Sequence, residues 1–242
     1  MRAETRHQLK QDRFSKATFE AAEKTVHWSQ EHQSKLIAAV VAVVVIGAIA
    51  VGGWYYINSQ DERASLDFAT AVRTLETPLR PAGTPAQPGV PTFESSTERA
   101  TAARKQFQAI ADNYSQTHTG KMARYFVGVT AAQLGDNTTA ERNLQEAAGS
   151  SDSQLASLGK IALASVYASQ NKDAQAIDLY KQLIDKPSEL ISKVAAQLEL
   201  ATFYESRQKP DEAKKIYEQI QKENPASEGA SLAQRRAADL KQ

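Results

Sequence analysis

The sequence predicts an all-α chain in which one N-terminal transmembrane helix precedes an α-solenoid of paired helices. Three observations predict it. Residues 36–57 are 22 consecutive positions without a charge. From residue 97 to the end, apolar side chains recur at helical spacing, with no strand-like alternation. Within that part, small and large residues recur at intervals of 36 and 37 positions.

At about 1.5 Å of rise per residue, a helix over 36–57 reaches about 33 Å, against about 30 Å for a hydrocarbon core. The run has no polar stripe of the kind a core helix of a soluble protein shows. It closes on Trp54, Tyr55 and Tyr56, whose amphipathic rings favour the headgroup level, so these three are the expected membrane-interface residues. Ala48-Ile49-Ala50 has the small-x-small form of a signal-peptidase site. The apolar run continues past it and exceeds the h-region of about 7–15 residues, so an uncleaved anchor is expected. Lys16, Lys24 and Lys35 lie near the N-terminal end of the span, and Arg63 and Arg73 near the other end. That bias predicts a cytoplasmic N-terminus and a C-terminal domain outside the cytoplasm.

Residues 1–35 form the expected cytoplasmic segment. Over 5–34, Phe14, Ala17, Ala21, Thr25 and Trp28 recur at helical spacing, which predicts a polar helix with a thin apolar stripe. After the span, 58–96 reads as a juxtamembrane helix followed by a Pro/Gly-rich loop. Leu66, Ala69, Val72 and Leu75 mark the helix over 59–77, and five prolines within 78–92 end it and predict an exposed loop. From 97 to 242 the pattern is helix after helix.

Composition narrows the function. Formal net charge is +1; residues 1–35 hold seven Lys/Arg and five Asp/Glu, and 58–242 hold 22 and 23. Neither part has the basic excess of a nucleic-acid binder. With no cysteine, disulfides, thiolate nucleophiles, Cys-based metal centres and an acylated lipoprotein anchor are excluded. The four histidines are His7, His27, His32 and His118. His27 and His32 stand five apart, which does not put two ligands on one helix face, and His118 is expected as a solvated residue in an inter-helix turn. Phosphate-loop, HExxH and GxSxG patterns are absent from the sequence. Carboxylates read as a solvated face, paired with lysines at helical spacing. No catalytic residue, cofactor or metal is expected, and no small-molecule substrate.

The repeat carries the positive signal. Ala140, Ala176 and Ala213 are followed four residues later by Leu144, Tyr180 and Tyr217. Twelve residues before each alanine stands Gly128, Ala164 or Ala201, preceded by Val127, Leu163 or Leu200 and followed three later by Ala131, Tyr167 or Tyr204. Small residues facing one another let two helices approach closely, and large flanking residues fill the space toward the next pair. Gly128, Ala140, Ala164, Ala176, Ala201 and Ala213 are therefore the expected repeat-packing residues. Ala103, Phe107 and Ile110 suit the second helix of an earlier repeat, whose first helix over 59–77 is split off by the Pro-rich insertion. Leu232, Ala233, Ala237 and Leu240 suit a final capping helix.

This pattern resembles the tetratricopeptide repeat, over residues 97 to 240. Arg124, Lys160 and Gln197 stand where the family usually has Trp, the closing Pro is present only as Pro225, and the period exceeds the family's value of about 34. The resemblance implies a concave partner-binding face lined by the first helix of each pair, placing Met122, Tyr125, Val129, Ile161, Ser165, Leu198, Glu199 and Thr202 there. It also implies that a Lys/Asn/Arg clamp for a terminal carboxylate is missing, since Tyr125, Val129, Ala162, Ala195 and Glu199 occupy those positions.

The whole layout resembles the YfgM-like family of bacterial inner-membrane proteins. That resemblance implies a periplasmic interaction scaffold, an ancillary subunit of the Sec translocon whose partners are translocon subunits and periplasmic chaperones. A scaffold for another cell-envelope or secretion-system assembly, and an organelle import receptor, are the alternatives.

Overall fold

The computed structural model describes residues 33–81, 83–85 and 92–240. The chain divides into a unit ending at Tyr56 and a unit from Ile57 onward. Among the described residues there are nine helices and no strand beyond a single bridge between Leu79 and Phe93. The helix expected over 5–34 lies outside the described residues, apart from its last two positions.

Helix α1 runs Gln33–Glu76. In the first unit it is apolar and exposed: Val43, Ile46, Ile49 and Val51 leave about two thirds of their surface uncovered, as do Trp54, Tyr55 and Tyr56. The stretch is long and apolar enough to cross a membrane. In the second unit, residues 57–76 of α1 bury Ala64 and Ala71 and half-bury Phe68.

Helices α2 (Ser96–Asn113), α3 (His118–Gln133), α4 (Asn137–Ala148), α5 (Ser153–Ser169), α6 (Asp173–Asp185), α7 (Lys193–Ser206), α8 (Pro210–Glu223) and α9 (Glu228–Asp239) follow, and from α3 onward each packs on the one before. Seven of these eight starts have a local cause in a capping side chain or a proline. Ser95, Thr117, Asp136, Asp152, Ser192 and Ser227 accept backbone N–H bonds from the first turns of α2, α3, α4, α5, α7 and α9. Pro210 opens α8, where its missing N–H costs nothing.

The turns inside the pairs α3/α4, α5/α6 and α7/α8 share one construction. Gly135, Asn171 and Gln208 take φ of 75°, 60° and 55°, the left-handed region. The next residue's N–H reaches back to Ala131, Tyr167 or Tyr204, each at 2.9 Å. This closes the helix end by satisfying carbonyls that would otherwise lack partners. The repetition at 36 and 37 residues is thus present in the backbone as well as in the side chains.

Residues 57–76 of α1 and α2 form a further pair. Phe68, Phe107 and Phe126 make an aromatic cluster across α1, α2 and α3, with ring centroids 4.8–5.4 Å apart. The Asp61 carboxylate accepts from the Thr119 N–H at 2.9 Å, bonding the first turn of α3. Burial raises the pKa of Asp61, but bonds from Thr119 and Thr117 and the nearby His118 outweigh it and hold the carboxyl below its usual range. Between the two helices, the Arg80 N–H donates to the Phe93 carbonyl at 2.7 Å and Arg80 pairs with Glu94. The base of the Pro-rich insertion is therefore pinned. At the far end α9 buries Ala230 and Ala233 against α7 and α8 and half-buries Ala237 and Leu240. Leu232 is turned outward, 37% exposed.

Gly128 lies so close to α4 that a Cβ there would meet Leu144 Cγ at 2.7 Å. Ala140, Ala164, Ala176, Ala201 and Ala213 have no exposed surface. Two readings of polar groups differ from the sequence expectation. His118 opens α3 rather than sitting in a turn, with Nδ1 3.3 Å from an Asp152 oxygen. Among the described ion pairs, Lys214–Glu218 alone is a helical i,i+4 pair. Arg104–Asp136, Lys172–Glu141 and Arg207–Asp173 join successive repeats instead, at 3.0, 2.6 and 2.8 Å.

Candidate functional site

The first helices α3, α5 and α7 bring their side chains to an open groove of about 520 Å³. Tyr125 and Val129 come from α3, Ile161, Ala162 and Ser165 from α5, and Glu199 from α7. Leu144 and Val166 reach its floor from the core. The helix registers explain the gathering. Tyr125 and Val129 are four apart, as are Ile161 and Ser165, so each pair stands on one face.

The walls are held firmly. The Tyr125 ring meets Phe126 edge-on at 5.2 Å, and burial pushes its phenol above the usual range. The Ser165 hydroxyl donates to the Ile161 carbonyl at 3.3 Å. Burial also pushes the Tyr180 phenol up; a bond with Ser165 opposes that shift, and the Glu199 carboxylate adds to it. Two other clefts are more polar. One of about 380 Å³ is lined by Arg104, Lys105, Arg142 and Asp136. Another of about 230 Å³ holds Lys121, Arg124 and Glu146, the last two paired.

Of the eight residues assigned to the concave face, five line the groove: Tyr125, Val129, Ile161, Ser165 and Glu199. Met122, Leu198 and Thr202 do not. Met122 is half-buried one turn before Tyr125. Leu198 packs against the cluster of Ala201, Ala213 and Tyr217. Thr202 is exposed beyond Glu199. Sequence reasoning did not find the small lining residues Ala132 and Ser169. Ala132 sits three after Val129 and Ser169 four after Ser165, so the same helical periodicity carried forward reaches both.

The described residues hold no group of three or more His, Asp or Glu side chains placed to bind a metal ion. The groove has an apolar wall with a few polar groups, the make-up of a surface that takes up another chain's side chains.

Fold and groove together define a helix-pair repeat scaffold. The chain matches the tetratricopeptide repeat-like domain over residues 26–242 and belongs to that family. That family's repeat fold is the architecture of a protein–protein interaction scaffold. No curated protein and no solved structure matches the chain.

Proposed function

We propose that the protein is a membrane-anchored periplasmic scaffold of the YfgM-like kind, an ancillary subunit of the Sec translocon that links it to periplasmic chaperones. The N-terminal segment and the span 36–57 hold it at the membrane complex, with Trp54, Tyr55 and Tyr56 at the headgroup level. The groove on α3, α5 and α7 takes the partner. On this reading 1–35 lies in the cytoplasm and 97–242 forms the periplasmic repeat domain, preceded by the helix and loop of 58–96.

Two features carry the reading: the open apolar groove and, among the described residues, one apolar helix of spanning length. A solenoid that only had to be soluble would cover such a surface with polar side chains. The Lys/Arg bias around the span supports the orientation.

A photo-crosslinking amino acid placed at Tyr125 or Ile161 in native membranes tests it. The expected adducts are a translocon subunit and a periplasmic chaperone, with none from a probe at exposed Lys105. Adducts confined to another envelope assembly overturn the translocon assignment. Protease added to spheroplasts checks the topology: loss of the repeat domain is expected, and its survival until the cells are permeabilised reverses the orientation.

A further inference from the structure

Glu199 is the one charged side chain lining the groove. It is exposed on α7 and has no ion-pair partner among the described residues. Lys172, Arg207, Lys193 and Arg236 pair with other carboxylates: Glu141, Asp173, Glu223 and Glu205 in turn. The carboxylate is also close enough to the Tyr180 phenol on α6 to add to that phenol's upward shift.

An uncompensated carboxylate beside an apolar wall sets the charge of whatever docks there. Coulomb attraction strengthens as the occupant displaces water, and a like charge brought to the same place is repelled to a similar degree. A groove built for a terminal carboxylate would present Lys or Arg here; this one presents the opposite sign. We propose, resting on the reading of the groove as the partner site, that it takes a cationic apolar segment: an apolar side chain seats on Tyr125, Val129 and Ile161, and a neighbouring lysine or arginine meets Glu199. Segments with Asp, Glu or a free C-terminal carboxylate at that place are rejected.

The test uses the full chain in phosphatidylcholine nanodiscs and two fluorescein-labelled 12-residue peptides. Both carry Leu-Phe in a Gly/Ser background, one flanked by two lysines and the other by two glutamates. Anisotropy is read against discs without protein. The lysine peptide is expected to bind wild type about three- to tenfold tighter than the glutamate peptide, the range for a partly exposed charge pair. Glu199→Gln should erase the preference and Glu199→Lys should reverse it. Asp178→Lys, exposed on α6 and outside the groove, should leave it unchanged. Tyr125→Ser with Val129→Ser should weaken both peptides alike. Equal binding of the two peptides by wild type, or a preference untouched by Glu199→Lys, overturns the charge selection while the groove stands. Reversal by Asp178→Lys would show a diffuse surface effect and also overturns it. If neither peptide binds wild type, the groove reading itself fails.

Discussion

The three intra-repeat turns offer a graded experiment on backbone strain. Gly135, Asn171 and Gln208 hold the same left-handed conformation at the same place in successive repeats. All three are exposed, so substituting them removes no packing. A Cβ added at Gly135 meets nothing within 4 Å, so any loss there comes from the backbone rather than from a clash. Holding an ordinary L-residue left-handed costs roughly 1–2 kcal/mol, and glycine avoids that cost but loses about 0.4–1 kcal/mol more chain entropy on folding. Gln208→Gly should therefore stabilise by about 0.5–1 kcal/mol. Asn171→Gly should change little, because asparagine tolerates this conformation. Gly135→Ala should cost about 1 kcal/mol. For a domain of this size each kcal/mol moves Tm by roughly 2–4 °C. The assay is thermal melting of the full chain in detergent, followed by circular dichroism at 222 nm, with the apolar helix contributing a flat baseline. A lower Tm for Gln208→Gly, or an unchanged one for Gly135→Ala, would refute the strain argument.

Other outcomes are expected. Ala176→Arg forces a charge into a site with no exposed surface; it should cost about 3 kcal/mol or more, and wild-type stability would place the repeat register elsewhere. Tyr125→Glu with Val129→Glu should abolish partner capture from solubilised membranes while helix content stays constant; loss of helix content would make those residues core. Replacing residues 82–91 by a short Gly/Ser link should move Tm by under about 2 °C, since the Leu79–Phe93 bridge and the Arg80–Glu94 pair remain. Tyr217 donates to Glu205 at 2.9 Å, and burial first, with Glu205 adding, pushes its phenol up to about 12. An unfolded phenol gives up its proton near about 10. In that window the folded state binds more protons, so stability falls as pH rises from about 10 to about 12. Tyr217→Phe should flatten that fall and lose about 1–2 kcal/mol near neutrality; an unchanged alkaline slope would count against the assignment.

The helix pairs were legible because close packing of two helices demands a small residue at a fixed place in each. Gly128, Ala140, Ala164 and Ala176 therefore leave a mark that spacing alone detects. The apolar stretch was legible for an equally local reason, since each of its positions must be uncharged. Residues 57–76 were partly legible. Their apolar positions showed, but their pairing with α2 across the Pro-rich insertion rests on the Phe68–Phe107 contact and their tie to α3 on the Asp61–Thr119 bond, between residues far apart in sequence.

By itself, then, the sequence determined the helical class, the repeat period and the one apolar helix of spanning length, because each is written as a local pattern of side-chain size and polarity. Only the tertiary structure decided which concave-face residues share a groove. Met122 and Tyr125 stand three apart on one helix, yet only Tyr125 lines it. Leu198 and Glu199 are adjacent, yet one packs into the core of the last repeat and the other stands at the rim. The rotation of each helix about its axis separates them, and that rotation is set by contacts with the next repeat. The same holds for Arg104–Asp136 and Arg207–Asp173: the partners are 32 and 34 residues apart, and only stacking of successive repeats brings those charges together.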